Sequence, residues 1–552
     1  MPYFHPRTEL ATHEVSNQPE ALGDVSLMDD PALRGAITHG FARLTAAGAD
    51  ITQDHILEQN THLKAFGAQT GNEKLRDLGR IAEENPPKLH AFNAQGQRID
   101  EIEFHPAWHE LMALGLKNGV SSRAWTHPHG GHITHGALMA MMTWTDGGVC
   151  CPISMTYAVT SVLKEHDWTA DEWLGRVTTA EYDPRVLPAA QKSAAIMGMA
   201  MTEKQGGSDL RANSTRATAL NDDEVELTGH KWFCSAPMCD AFLTLAYEDA
   251  GLSCFLVPRW RPDGTRNPME IQRLKNKMGD RSNASSEIEY RGAWARRVGE
   301  PGRGIPTIIV MAHHTRYDCI TGSAGAMRKA VVMAANHVAQ RTAFQRKLID
   351  QPLMRHVLAD LALETEAALA LAMRVGVSFD AAPHNAYEAA LSRVLTPIAK
   401  YWVCKRQSAV VGEALECFGG IGFVEEVGMA RLYRTAPLNA IWEGSGNVIA
   451  LDIQRALGDE TIAAAFNTEI ARIGEEIETL KPLTDWIART KDADPRLFAE
   501  RAAIVFSADA LPAGPVRDAY ITLRLMAPSH LWGANAGQID CDLLIKRAVG
   551  WV

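Results

Sequence analysis

No stretch of the sequence approaches the roughly twenty consecutive apolar residues that cross a bilayer as a helix. None of the nine cysteines forms a Cys-x-x-Cys pair. The first absence leaves no candidate helical membrane span; the second removes the familiar zinc and dithiol-redox signatures. Cys150, Cys151, Cys234, Cys239, Cys254, Cys319, Cys404, Cys417 and Cys541 are scattered and odd in number, which suits free thiols in a reducing compartment. Met1 to Glu20 lacks the basic start and apolar stretch of a secretory leader, so a cytoplasmic protein is expected. Also missing is a Gly-x-Gly-x-x-Gly run between a strand and a helix, and with it the alternating pattern of a simple dinucleotide fold. Positive charge is in short supply. A net charge of -11 gives no whole-chain attraction to nucleic acid.

The composition is that of a folded chain, with 46% apolar and 22% charged residues. Its 552 residues exceed what one core serves, so several domains are expected. Apolar positions at helical spacing run through Ile56 to Leu78 and Trp108 to Leu116, and the first 190 residues read as a mainly helical domain. From Ser214 short runs separated by turn formers follow: Thr215 to Leu220, Val225 to Phe233, Ala241 to Tyr247 and Ser253 to Val257. They read as antiparallel strands of a central β domain over 191–305. Tyr317 to Lys347, Pro352 to Ser378 and Ala386 to Phe418 read as long helices of a bundle over 306–458, with Pro352 suited to a first helical position. A helical, weakly amphipathic extension covers 459–552. The fold class is α+β in the order helical, β, helical, helical.

Charge is uneven along this order. Arg259 to Arg316 holds 12 basic and 6 acidic residues, while Asp459 to Val552 holds 10 basic and 14 acidic. The basic stretch is either a solvated strand face or a guide for anionic partners such as coenzyme A phosphates or DNA. His127-Pro128-His129-Gly130-Gly131-His132-Ile133-Thr134-His135 matches no familiar zinc spacing, and no metal is expected from it. Cys150 and Cys151 read as packing.

Three segments could carry chemistry. Met199 to Asp209 sets Met201, Thr202, Gly207 and Ser208 in a loop that follows an apolar run; its glycines admit a close ligand and its hydroxyls can donate to one. Gly229 to Ala236 ends a strand with Trp232, Phe233, Cys234 and Ser235; aromatics there also suit a plain core. Ala440 to Val448 places Glu443 between Trp442 and Gly444. A carboxylate desolvated by Ile441 and Trp442 has its pKa raised, as a base acting on carbon near neutral pH requires. The same glutamate also suits the dipole of a following helix.

Taken together and in this order, the three segments resemble the acyl-CoA dehydrogenase family. Its Thr-Glu-x-x-x-Gly-Ser-Asp signature has a counterpart in Thr202 to Asp209, and its strand beside the flavin in Lys231 to Ser235. Arg341-Thr342-Ala343-Phe344-Gln345 resembles the Arg-x-x-Phe element that reaches the FAD of a neighbouring subunit. Phe418 to Phe423, with Gly419 and Gly420, resembles the glycine-rich turn on the dinucleotide, and Ile441 to Asn447 the catalytic loop. The loop and the C-terminal extension look most like the AidB-like branch, flavoproteins linked to the response to DNA alkylation.

The resemblance implies an FAD enzyme in which Glu443 removes the α-proton of an acyl thioester while a β-hydride passes to flavin N5. FAD contacts are implied for Met201, Thr202, Gly207, Ser208, Phe233, Cys234, Ser235, Arg341, Phe344, Gly419, Gly420, Ile441, Trp442, Ser445 and Asn447. It also implies a homotetramer and an electron-acceptor protein, while the apolar runs, too short to span a bilayer, give no membrane partner. Alternatives are a DNA-binding, protective flavoprotein with little turnover, for which duplex DNA is the partner, and a nitroalkane-type oxidase. Two residues depart from the family pattern: Glu416 stands where glutamine is common before the glycine-rich turn, and Thr435 where aspartate is frequent before the catalytic loop. Thr315, beside Arg316, occupies the place of the base used by some relatives.

Overall fold

A computed structural model describes residues 7–490 and 493–552. Helix α1 (Pro31–Ala46) is started by Asp30, whose carboxylate accepts from the Ala32 N–H at 2.9 Å. The periodicity through Ile56 to Leu78 resolves into two helices, α2 (Gln53–Thr70) and α3 (Glu73–Glu84). The break falls at Gly71, where a Cβ would lie 1.9 Å from the Val25 carbonyl oxygen; only glycine lets the two backbones meet. A hairpin absent from the sequence reading follows, β1 (Lys88–Phe92) antiparallel to β2 (Arg98–Glu103). Neither strand carries a fully buried residue, so no apolar alternation announces it. Helices α4 (Pro106–Lys117), α5 (Gly131–Met142) and α6 (Cys150–Leu163) complete the region, the last two buried on nearly every side.

The central sheet has seven strands: β3 (Met197–Ala200), β4 (Arg216–Ala219), β5 (Glu224–Ser235), β6 (Ala241–Glu248), β7 (Gly251–Pro258), β8 (Met269–Leu274) and β9 (Ser285–Val298). The four expected strands are β4 to β7. The sheet is not wholly antiparallel. β3 runs parallel to β6, Met197 facing Ala241 and Ala200 facing Thr244, and β4 meets β6 in parallel at Arg216 and Tyr247. β3 enters from the helical region rather than from a hairpin, so no turn fixes its direction.

In the bundle, α7 (Gly304–Gln340) begins before the expected Tyr317 and stops before Lys347. Its expected last turns are instead a hairpin of β10 (Thr342–Ala343) and β11 (Arg346–Lys347), turned by Phe344 and Gln345 at φ of 50° and 65°. Helices α8 (Pro352–Ala381, with Pro352 opening it) and α9 (Ala386–Glu416) follow, then α10 (Gly446–Ala456). The C-terminal segment adds α11 (Glu460–Glu476), α12 (Lys481–Arg489), α13 (Pro495–Ala510) and α14 (Cys541–Val549). Ion pairs with buried carboxylates tie it to the bundle and to α1: Glu469 to Arg374 at 3.3 Å, Arg524 to Glu364 at 2.8 Å, and Asp509 to Arg43 of α1 at 2.8 Å. Among the described residues no helix is long and apolar enough to cross a membrane.

Candidate active site

The loop after β3 is held by a charge buried beneath it. Glu203 and Lys231 are both fully buried and pair at 2.9 Å; Lys231 also donates to the Leu245 carbonyl at 2.8 Å. Glu203 accepts from the hydroxyls of Ser214 at 2.8 Å and Thr215 at 2.6 Å. Burial alone would raise its pKa, but Lys231 and the hydrogen bonds of Thr215 and Ser214 hold it well below the usual carboxylate range. Above this anchor, the Thr202 carbonyl accepts from the Trp232 N–H at 2.8 Å, fastening the loop to β5. Gly207 packs so closely on Thr202 that a Cβ would lie 2.5 Å from its hydroxyl oxygen. Met201 is half-buried and Ser208 exposed.

On β5, Phe233 is 49% exposed while Cys234 is buried in the sheet, so Cys234 offers a ligand no side chain. Lys275 Nζ lies 4.5 Å from the Phe233 ring and 3.5 Å from that of Trp232. Ser235 is half-buried and its hydroxyl faces Ser285 at 3.4 Å. The Cys151 thiol stands close enough to both Ser235 and Glu443 for each to act on its ionisation. Burial pushes that thiol up to about 12, with Glu443 and Asp280 adding to the rise and Lys277 and Ser235 opposing it. Cys151 is thus not remote packing. It stands between the β domain and the catalytic loop.

The loop itself is clamped from the bundle. Arg316 of α7 donates to the Glu443 carbonyl at 3.0 Å and pairs with Asp452 of α10 at 2.8 Å. Lys400 of α9 donates to the Trp442 and Gly444 carbonyls at 2.8 and 2.5 Å. Trp442 Nε1 donates to Asn439 at 2.8 Å. Burial raises the Glu443 carboxyl to about 7, against Arg316, the Thr315 hydroxyl and Lys400, which pull it down. Its Oε2 is buried without a protein partner. Ile441 does not supply this burial, being 62% exposed; Cys151, Thr315 and Cys319 are near enough to interact with the carboxyl. Ser445 precedes α10 without using its hydroxyl as a cap, and Asn447 accepts from Arg496 of α13 at 3.0 Å.

Thr435 faces a carboxylate from elsewhere. Its hydroxyl accepts from the Asp280 N–H at 3.3 Å, and burial raises the Asp280 carboxyl to about 7, with Lys277 opposing. The acid missing from the loop's own sequence is therefore brought to it from the β domain.

Arg341, Phe344, Gly419 and Gly420 lie elsewhere. Arg341 follows α7 and is 25 residues beyond Arg316, about 37 Å at helical rise. It donates to the Asn17 carbonyl, and Phe344 is 93% exposed at the hairpin tip. The turn after α9 lies beside them, since Phe418 packs on His337 at 4.4 Å between ring centres. A Cβ on Gly419 or Gly420 would meet nothing within 4 Å. The sequence-predicted residues thus form two groups, one around Glu443 and one at the far end of α7.

Glu203, Lys231, Arg316, Lys400 and Asp280 were not singled out from sequence. The available signal was Lys231, which falls in step with the buried Val225 and Leu227 of β5. The basic stretch is largely paired with acids: Arg273 and Lys275 with Glu287, Arg291 with Glu270, Arg296 with Glu172, and Arg297 with Glu248. In the histidine-rich run, His132 meets the Tyr157 hydroxyl at 2.8 Å and His135 meets Asp318 at 2.6 Å.

The arrangement suits a flat ring with polar edges. Thr202, the half-exposed Phe233 and Ser235 belong to the β domain, and Ser235 and the Glu443 carboxyl, raised to about 7, both act on the Cys151 thiol. Family models agree in sequence order. Residues 17–184 match the adaptive response protein AidB N-terminal domain, 198–293 the acyl-CoA dehydrogenase middle domain, and 302–458 the acyl-CoA dehydrogenase C-terminal domain. The chain is 43% identical to the putative acyl-CoA dehydrogenase AidB of Escherichia coli K12, covering 81% of each chain. It is 31% identical to acyl-CoA dehydrogenase family member 11 of Caenorhabditis elegans, covering 80% of this chain and 72% of that one. A solved structure of Caenorhabditis elegans ACDH-11 in complex with C11-CoA superposes with a TM-score of 0.81 at 26% identity, covering 99% of this chain and 93% of that one.

Proposed function

Because this chain belongs to the acyl-CoA dehydrogenase family, in its AidB-like branch, we propose that it is an FAD-dependent oxidoreductase in which Glu443 takes the α-proton from an acyl thioester. The observation that carries this reading is the Glu443 carboxyl, raised to about 7 and with one oxygen free of protein partners. At that value it is substantially ionised near neutral pH and still basic enough to accept a proton from carbon. Arg316 and Lys400 hold the backbone of residues 442–444 by three hydrogen bonds, so the carboxyl keeps its aim while the proton moves.

FAD supplies the acceptor for the two electrons of the β-hydride. Thr202, Gly207, Ser208, Phe233 and Ser235 would hold its ring from the β domain, with Met201 and the Cys234 backbone beside them. Ile441, Trp442, Ser445 and Asn447 would bound it from the loop side. We take the second group, Arg341, Phe344, Gly419 and Gly420, to serve a cofactor in a neighbouring copy, because the helical rise from Arg316, which holds the Glu443 carbonyl, to Arg341 is about 37 Å. A homo-oligomer follows, a tetramer by family resemblance. Duplex DNA gains no support from the basic stretch, whose charges are largely spent on acids.

Acyl-CoA thioesters, with C11-CoA among them, are the substrates to test. Anaerobic addition should bleach the flavin absorption of the purified protein, and an acceptor dye should restore it. Protein that takes up no FAD, or flavin that no thioester bleaches, overturns the reading. Hydrogen peroxide release in air with a nitroalkane substrate would make it an oxidase instead.

A further inference from the structure

Residues 17–20 precede α1 and lie across the far end of α7. The Asn17 side chain meets Thr342 of β10 as a neighbouring strand would, its Nδ2 donating to the Thr342 carbonyl at 2.8 Å and its Oδ1 accepting from the Thr342 N–H at 2.8 Å. The Asn17 carbonyl accepts from Arg341 Nη1. Three residues on, the Glu20 N–H donates to Gln340 Oε1 at 2.9 Å, and the Glu20 carbonyl accepts from Asn336 Nδ2 at 3.1 Å and Gln340 Nε2 at 3.3 Å. A strap from the start of the chain is thus stapled to the last turn of α7 and to β10, Asn17 and Thr342 being 325 residues apart in sequence.

The strap fixes what the rest of the fold leaves free at Arg341. The Arg341 backbone is held without it, the N–H donating to the His337 carbonyl at 3.0 Å and the carbonyl accepting from the Leu348 N–H at 2.8 Å. The side chain is half-buried and, among the described residues, has the Asn17 carbonyl as its one hydrogen-bond partner. A neutral carbonyl orients a guanidinium without neutralising it, so the charge and the Nε and Nη2 donors stay available for an anion. The strap's bonds are exposed, and exposed bonds replace bonds to water at little net gain in stability. What the strap supplies is direction. Asn17 stands at φ 53°, a conformation asparagine adopts more readily than most residues, with its carbonyl on Arg341 and its amide on Thr342 at once.

We propose that Asn17 is a positioning residue for cofactor binding: it locks the Arg341 guanidinium in one orientation, from which Nε and Nη2 serve the FAD phosphates of a neighbouring copy. The inference rests on the reading of Arg341 as a contact to that cofactor and adds the N-terminal strap to the site. A free arginine loses side-chain entropy when it grips a phosphate, and one already held loses less. Asn17 itself touches no phosphate. Its effect passes entirely through Arg341.

The test dilutes the FAD-loaded full chain and follows the fluorescence of released flavin, which gives Kd. Arg341→Ala should weaken FAD binding about tenfold or more, as the loss of a charged hydrogen bond does. Asn17→Gly keeps the backbone at its positive φ and removes the amide that anchors it; it should weaken FAD about fivefold while Tm moves by no more than about 2 °C. The deciding measurement is the double variant. In the Arg341→Ala background Asn17→Gly should cost no further affinity, because a residue that acts only through Arg341 has nothing left to orient. If Arg341→Ala weakens FAD but Asn17→Gly does not, or if the Asn17→Gly loss is undiminished in the double variant, this inference alone falls. If Arg341→Ala leaves FAD affinity unchanged, the reading of Arg341 falls and takes this one with it.

Discussion

Glu443 occupies the left-handed region at φ 59°, followed by Gly444 at φ 108°. A non-glycine residue there costs roughly 1 kcal/mol, held in place by the bonds from Arg316 and Lys400. Glu443→Gln keeps the shape and removes the base: turnover should fall by about 10²–10⁴ with the flavin spectrum retained, which steady-state rates and absorbance together check. The raised pKa also sets a pH dependence. Below about 7 the carboxyl is protonated and cannot accept a proton, so kcat should rise with pH through about 7 and level off above it. For stability the sign is opposite. Above 7 the group is ionised in both states but costs more in the folded one, so Glu443→Gln should raise Tm at pH 8, by roughly 1–3 °C, and leave it nearly unchanged at pH 4.

Another prediction at this scale concerns Lys231. Lys231→Met strands Glu203 as a buried charge and should cost about 3–5 kcal/mol, read by urea unfolding, with loosened FAD binding through the Thr202 to Ser208 loop. The three candidate segments were legible in the sequence because glycine, hydroxyl and carboxyl sat together there. The clamps were not, since Arg316 and Lys400 lie inside long helices where a charged residue ordinarily means a solvated face, and only packing shows that they are buried.

Among elements, the long helices were legible because periodicity persists over many turns, and their ends were not. The end of α7 at Gln340 was hidden because the two positive-φ residues that reverse the chain, Phe344 and Gln345, are of types that seldom turn. β8 and β9 escaped because charged residues that read as loop are half-buried in ion pairs, Arg297 with Glu248 at 2.7 Å being one. The direction of β3 depends on its partner β6, more than forty residues on, which no local pattern encodes. The same limit hid the approach of Asp280 to Thr435.

For the whole molecule, the division of the site residues into two groups predicts how mixed assemblies behave. Glu443→Gln and Arg341→Ala chains should each be nearly inactive alone. Unfolded together and refolded, they should recover activity in oligomers where an intact Glu443 meets an intact Arg341 of another chain. A mixture no more active than its parents would place both groups' duties in a single chain. The C-terminal segment belongs to this scale too, because Arg496 reaches Asn447 at the edge of the catalytic loop.

Helix α7 carries Arg316 in its first half and delivers Arg341 just past its end. If Arg341 serves the neighbouring copy as proposed, a stiff rod that joins one chain's centre to its neighbour's cannot shift for one without shifting for both. Loading apoprotein with FAD should therefore be cooperative, its saturation curve steeper than a hyperbola, and Arg341→Ala should flatten that curve as well as weaken it.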